Sequence, residues 1–197
     1  DMKASNVPDW YIKSCQKIKY MFPKAHAAAY VMMAFRIAYF KVNYPMAYYA
    51  AYFTVRACDD FDYGTMCKGI DVAKDAIREI NEKGQSATAK DKNKLTVLEI
   101  IVEFYARGFK FLPIDLYKSD ATKFIVTDEG LIPPFSSLQG LGLTAAQSIV
   151  DGRKNVTEFH TIEEFKENTS VGKTLVELLK ENGVLKGIPE TNQLTLF

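Results

Sequence analysis

No hydrophobic run in this 197-residue sequence is long enough to cross a membrane. The longest uncharged apolar stretch, residues 27–35, spans nine positions before Arg36 interrupts it, whereas a spanning helix needs about 20. There is no Lys/Arg-led hydrophobic leader with a small-residue cleavage site, so the expected location is cytoplasmic and no membrane partner is expected. Cysteine is scarce: Cys15, Cys58 and Cys67 form an odd set without a disulfide framework, which fits a reducing compartment. Histidine is scarcer still. His26 and His160 stand alone with no Cys-x-x-Cys, which leaves no ligand set for a structural zinc. Low-complexity tracts are absent, and net charge nearly so, at +1.

What is present has a layout that the average hides. An apolar fraction of 48% supports a buried core, and 25% charged residues fit one or two globular domains. The first 58 residues carry 8 Lys/Arg against 2 Asp/Glu, and hold 13 of the 25 aromatics. Residues 59–130 carry 11 against 14, and residues 131–197 carry 6 against 8. A basic, aromatic-rich segment is joined to two mildly acidic ones.

Periodicity predicts a mainly α chain. Asp9 is placed to cap a short helix reaching Lys19. Pro23 opens a helix over residues 25–42 that is apolar nearly all round, so burial on more than one side is expected. A second apolar helix, 45–55, follows Asn43 and Pro45 to form a helical hairpin. Residues 58–65 read as an acidic turn, 66–83 as an amphipathic helix ended by Gly84, 85–93 as a loop or helix start, and 95–107 as a helix stopped by Gly108. Beyond it, 109–116 is extended, and 123–126 with 131–132 predicts a small β-hairpin about Asp128-Glu129-Gly130, cut short by Pro133 and Pro134. Two helical hairpins then occupy 135–187, and 188–197 reads as a flexible tail.

Three motifs carry chemistry. Leu138-Gln139-Gly140-Leu141-Gly142 precedes a helix at Thr144, so the glycines let a ligand reach the amides and positive dipole end of that helix. A degenerate second copy, Thr169-Ser170-Val171-Gly172-Lys173, keeps one glycine and adds a lysine suited to a phosphate. This is a helix–hairpin–helix pattern, and Gly140, Leu141, Gly142, Thr144, Gly172 and Lys173 are its candidate DNA-backbone contacts. Its net charge of −2 predicts weak binding when it stands alone. The plainer alternative is a glycine turn between packed helices. Secondly, Gln193, Leu194, Leu196 and Phe197 place apolar anchors in a tail, as a short docking peptide does; the alternative is a tail folded onto its own core. Thirdly, Lys24 and His26 gather positive charge at a helix N-terminus, against the dipole, with Tyr30 one turn on. That clustering favours an anionic ligand, against the alternative of an ordinary alanine helix with solvated ends.

Together these motifs resemble a known family. Tyr20-Met21-Phe22-Pro23-Lys24-Ala25-His26-Ala27-Ala28-Ala29-Tyr30 is similar to the fingers of bacterial C-family replicative DNA polymerases. Asn43-Tyr44-Pro45-Met46-Ala47-Tyr48-Tyr49-Ala50-Ala51-Tyr52-Phe53-Thr54-Val55-Arg56 and Leu131-Ile132-Pro133-Pro134-Phe135 resemble the PolC branch, the DNA polymerase III alpha subunits of low-GC Gram-positive bacteria. Gln193-Leu194-Thr195-Leu196-Phe197 resembles the bacterial sliding-clamp-binding pentapeptide.

The resemblance implies the C-terminal piece of a larger enzyme, and Asp1 as first residue fits such a truncation. It divides as the end of the helical fingers (1–107), a β-hairpin connector (108–134), a tandem helix–hairpin–helix module (135–189) and a clamp-binding tail (190–197). It implies nucleotide or template contacts by Lys24, His26, Tyr30, Arg36, Thr54, Arg56 and Lys90. The implied partners are duplex DNA, a deoxynucleoside triphosphate, the sliding clamp and the rest of the polymerase chain, at the replisome on the nucleoid. The family's catalytic carboxylates and their Mg2+ belong to an upstream palm domain with no match here. No catalytic residue or metal ligand is therefore expected in this chain, and no polymerase activity from it alone. Two other readings stand beside this one: a separate DNA-binding adaptor that recruits the clamp, which leaves the basic aromatic first third unexplained, and a helical scaffold whose glycine turns bind nothing.

Overall fold

The computed structural model describes residues 1–19 and 23–191. The chain divides into two compact units, Asp1–Tyr44 and Pro45–Phe197, and is mainly helical. In the first unit, α1 (Asp9–Gln16) begins after Pro8, with Asp9 inside the first turn rather than capping it; an acid there suits the helix dipole. The helix α2 (Lys24–Asn43) starts directly after Pro23. Its apolar circumference predicts burial, yet none of its residues is buried, and Tyr30, Phe35 and Val42 are 67%, 73% and 70% exposed. Among the described residues of this unit the only other helix is the short α1, which buries nothing either. The pattern states that α2 suits an apolar environment and leaves unsaid which elements supply it.

The second unit opens with α3 (Pro45–Val55), α4 (Tyr63–Met66), α5 (Ile70–Glu82) and α6 (Ala89–Ala106). One face of α5, Ala73, Ala76 and Ile80, packs along α6, which contributes Val97, Leu98, Ile101 and Phe104. Tyr49 and Phe53 of α3 join them with Phe61, Phe124 and Leu131 in one core. Aromatic rings dominate it: Phe104 stacks on Phe111 at 4.5 Å between centroids, and Phe61 meets Phe124 edge-on at 4.8 Å. The phenol of Tyr49 donates to Glu103 at 3.0 Å and accepts from Arg107 at 3.2 Å, so its burial leaves no polar atom unmatched.

Strands β1 (Ile125–Val126) and β2 (Leu131–Ile132) pair antiparallel, Ile125 opposite Ile132 and Val126 opposite Leu131. Phe111 of the extended segment bridges Leu131 in parallel. With Phe124, Leu131 and Ile132 buried, the hairpin is part of the packed interior as well as a connection.

A second core gathers Phe135, Leu138, Leu141, Ala146, Ile149, Phe159, Ile162, Phe165, Val171, Val176 and Leu179. Here α7 (Leu143–Gly152), α8 (Ile162–Asn168) and α9 (Lys173–Glu181) follow in order. The first hairpin differs from expectation: its leading arm is a single 3-10 turn, Phe135–Ser137, not an α-helix. Pro133 and Pro134 prevent it from starting earlier, since each lacks an N–H and holds the residue before it extended, and Leu138 returns to extended backbone directly after it. Gly152 has a steric reason to be glycine, because a Cβ there would fall 2.4 Å from the carbonyl oxygen of Asn168.

Candidate nucleic-acid interface

Turn 138–142 is built from alternating burial. Leu138 and Leu141 point into the core while Gln139, Gly140 and Gly142 are exposed. Leu141 therefore anchors the turn by its side chain, and only its backbone remains to meet a ligand. Gly140 has φ +92°, a left-handed conformation that residues with a Cβ enter only at a cost. Gly142 is different. Its φ of −69° and ψ of 160° suit any residue, and a Cβ there would meet nothing within 4 Å. The fold does not require glycine at 142, so its effect is to leave the first turn of α7 uncovered.

The second turn repeats this arrangement. Val171 is buried, and Gly172 has φ −75°, ψ 168° and open space where a Cβ would lie. Ser170, at the place of Gly140, avoids a positive φ; its amide donates to the hydroxyl of Ser148 on α7. The lost glycine is thus accommodated by a different backbone path. In return, Gly140 lies against Leu178 on α9, 3.8 Å from where its Cβ would be. Position 140 corresponds to 170 and 148 to 178, so each turn touches the same place on the other's helix. Such reciprocity is what an approximate twofold axis produces.

Both helices that follow these turns lack a side-chain cap. Elsewhere in the unit the N-termini of α4, α6 and α8 are capped by Asp62, Thr88 and Thr161, although α5, entered through Gly69, is not. In α7 the amide of Ala146 reaches Gly142 at 3.0 Å, and in α9 that of Val176 reaches Gly172 at 3.1 Å. In α9 the Leu175 amide also reaches Gly172, at 3.1 Å, so the amides without an intrahelical acceptor are those of the first residues, 143–145 in α7 and 173–174 in α9. Each end therefore presents N–H donors and a positive dipole, the donor set that an anion needs. Thr144 stands exposed beside the first site and Lys173 beside the second. Thr174 occupies the position equivalent to Thr144 and was absent from the sequence candidates. Aligning Leu141-Gly142-Leu143-Thr144 with Val171-Gly172-Lys173-Thr174 would have found it.

Lys90 lies on α6, not in a loop, because Thr88 and Asp91 form a reciprocal capping box that starts the helix at Ala89. It lines a cleft of about 480 Å³ together with Gly140, Leu141 and Gly142, and with Asp59, Asp60, Asp62 and Lys94. The structure thus brings one expected template contact to the first hairpin. Lys94 is committed to Asp62 at 3.1 Å. Burial pushes the Asp62 carboxyl up, but bonds from Thr65, Lys94 and the Gly64 amide outweigh it and hold it below the usual carboxylate range. Thr54 has a structural engagement: its hydroxyl accepts the amide of Phe124 at 3.0 Å. Arg56 is exposed past the end of α3.

Lys24, His26, Tyr30 and Arg36 are exposed on α2 in the first unit, with the rings of His26 and Tyr30 4.5 Å apart. Gln193, Leu194, Leu196 and Phe197 lie outside the described residues, as do Tyr20, Met21 and Phe22. Among the described residues no three His, Cys, Asp or Glu side chains converge into a set that would hold a metal ion, and we assign no metal-dependent step to them. No helix among them is long and apolar enough to cross a membrane.

Residues 108–194 match the helix–hairpin–helix motif family model. The whole chain is 58% identical over 197 residues to a protein of Caldanaerobacter subterraneus subsp. tengcongensis named DNA polymerase III PolC-type. Proteins of the same name from Bacillus subtilis and Listeria monocytogenes are 55% identical over 197 residues and 54% over 196. Each alignment takes in all of this chain but only 14%, 14% and 13% of the relative, so the chain spans about one-seventh of their length. The match runs through the basic aromatic first third, which the adaptor reading left unexplained.

Proposed function

We propose, from the premise that this chain is a segment of the PolC-type DNA polymerase III family, that it is the part of a replicative DNA polymerase that grips duplex DNA by its backbone. The observation that supports this most is the pair of uncapped helix N-termini behind Gly142 and Gly172, glycines that the backbone itself does not demand. Each turn offers main-chain amides to one phosphate, and the reciprocal packing of the turns suits the two strands of a duplex. Lys173 strengthens the second contact by charge, while the first has the exposed Leu143 in its place. Amides and lysine read phosphate oxygens only, so affinity is the same for every sequence. The near-neutral hairpins make it weak and sensitive to salt.

Under the same reading, Lys24, His26, Tyr30 and Arg36, with Thr54, Arg56 and Lys90, face the incoming nucleotide or the template. Gln193, Leu194, Leu196 and Phe197 dock on the sliding clamp, which places the chain at the replisome. Catalytic metals belong to the remainder of the polymerase, and this chain alone extends no primer. Fluorescence anisotropy with labelled duplexes of unrelated sequence tests the central point. Equal affinities falling steeply with salt are expected; no binding at low ionic strength, or strong dependence on sequence, contradicts it. Titration with sliding clamp tests the tail: binding should vanish when Leu196 and Phe197 are removed.

A further inference from the structure

The backbone of the second turn lies along one face of α7, the helix whose N-terminus forms the first site. Ser148 and Gly152 stand one turn apart on that face. The hydroxyl of Ser148 accepts the amide of Ser170 at 2.5 Å. At Gly152 the two chains run so close that a Cβ would fall 2.4 Å from the Asn168 carbonyl oxygen and 2.7 Å from Cγ2 of Thr169. Thr169 and Val171 are buried, and the Thr169 hydroxyl donates to the Phe165 carbonyl at 2.7 Å. Ser170 between them is exposed, and it is the Ser148 hydroxyl that engages its main chain. The first turn takes another route. Gly140 adopts a positive φ and lies against Leu178, an apolar side chain that offers no hydrogen bond.

We propose that Ser148 is a positioning residue for the second phosphate site: it fixes the spacing of that site from the first, and so sets a preference for duplex over single-stranded DNA. The inference rests on the reading above that the amides behind Gly142 and Gly172 each take one phosphate. Six residues, about 9 Å of helix, separate Gly142 from Ser148. The second turn is therefore fastened at a set distance along the same helix that opens at the first site. Two sites held at one spacing bind two phosphates held at one spacing without a further search. A duplex is stiff over far more than this length and presents the phosphates of its two strands in that way. A single strand is flexible and must be ordered to match, so it gains little from the second site. Releasing the second turn removes the advantage of the duplex and leaves single-strand binding as it was.

The test measures fluorescence anisotropy of the full chain and its Ser148→Ala and Ser148→Thr variants with a labelled duplex and with one of its strands alone. Ser148→Ala should lower duplex affinity about fivefold, the net contribution of one hydrogen bond, and leave single-strand affinity unchanged. Ser148→Thr, which keeps the hydroxyl, should restore the duplex value. A general loss of structure would lower both affinities together; that result overturns the proposal, as does an unchanged duplex affinity in Ser148→Ala. With Gly172→Asp already blocking the second site, Ser148→Ala should cause no further loss, and a repeated fivefold loss there would count against it. If the intact chain binds duplex no better than single strand, or Gly172→Asp leaves duplex affinity intact, the phosphate-site reading fails instead. Hydrogen exchange checks the contact without DNA. The Ser170 amide should be protected in the intact chain and exchange rapidly in Ser148→Ala; rapid exchange in the intact chain rejects the seat.

Discussion

Two glycines two positions apart do different work. Gly140 is glycine for conformation, and Gly140→Ala should cost about 1–2 kcal/mol of stability, measured by denaturant unfolding, for forcing a left-handed residue. Gly142 is glycine for access. The sequence marks both alike, because a Gly-x-Gly string does not say which position has the positive φ; only backbone angles separate the roles. Leu143 and Lys173 mark a second difference between the sites. Leu143→Lys should raise duplex affinity and steepen the dependence of log K on log salt by about one unit, as one more phosphate contact requires; an unchanged slope would place residue 143 away from the backbone. Asp62 carries the pH prediction. Its carboxyl titrates below its unfolded value, so its stabilisation is present above roughly pH 4 and is lost as pH falls through the folded value. Asp62→Ala should therefore cost about 1–2 kcal/mol at neutral pH, with the gap to the parent chain narrowing in acid.

Helix existence was legible in the sequence, and helix starts less so. The spacing of Leu98 and Ile101 locates α6, but its first turn is set by Thr88 and Asp91, a box hidden in a polar stretch. Thr88→Ala should destabilise the second unit by about 1 kcal/mol and fray α6 as far as Lys90; circular dichroism and denaturant midpoints check this. The leading arm of the first hairpin could not start before Phe135, a limit readable in advance from Pro133 and Pro134, but its end after one turn, where Leu138 goes extended, was not. The main-chain bonds of Pro189 and Glu190 were not readable, since this stretch looks like a tail and their partners, Ile162 and Glu163, lie 27 residues earlier in sequence. Main-chain bonds across such separations leave no periodic trace.

At the scale of the whole molecule, the segmental charge and the paired glycine-bearing hairpin turns pointed to a nucleic-acid protein more directly than the net charge did. What the apolar character of α2 left open was its cover. With no buried residue in α1 or α2, limited proteolysis of this chain should cut within residues 1–44 well before 45–191; equal resistance would contradict that division. The most direct measurement of the central claim is the double substitution Gly142→Asp with Gly172→Asp, followed by duplex affinity and thermal midpoint on the same preparation. Aspartate fits both backbone conformations and caps a helix at least as well as glycine, so the midpoint should hold or rise. Each carboxylate also occupies and repels at the place proposed for a phosphate, so duplex binding should fall at least tenfold. Unchanged duplex affinity in a fully folded double variant would contradict the account.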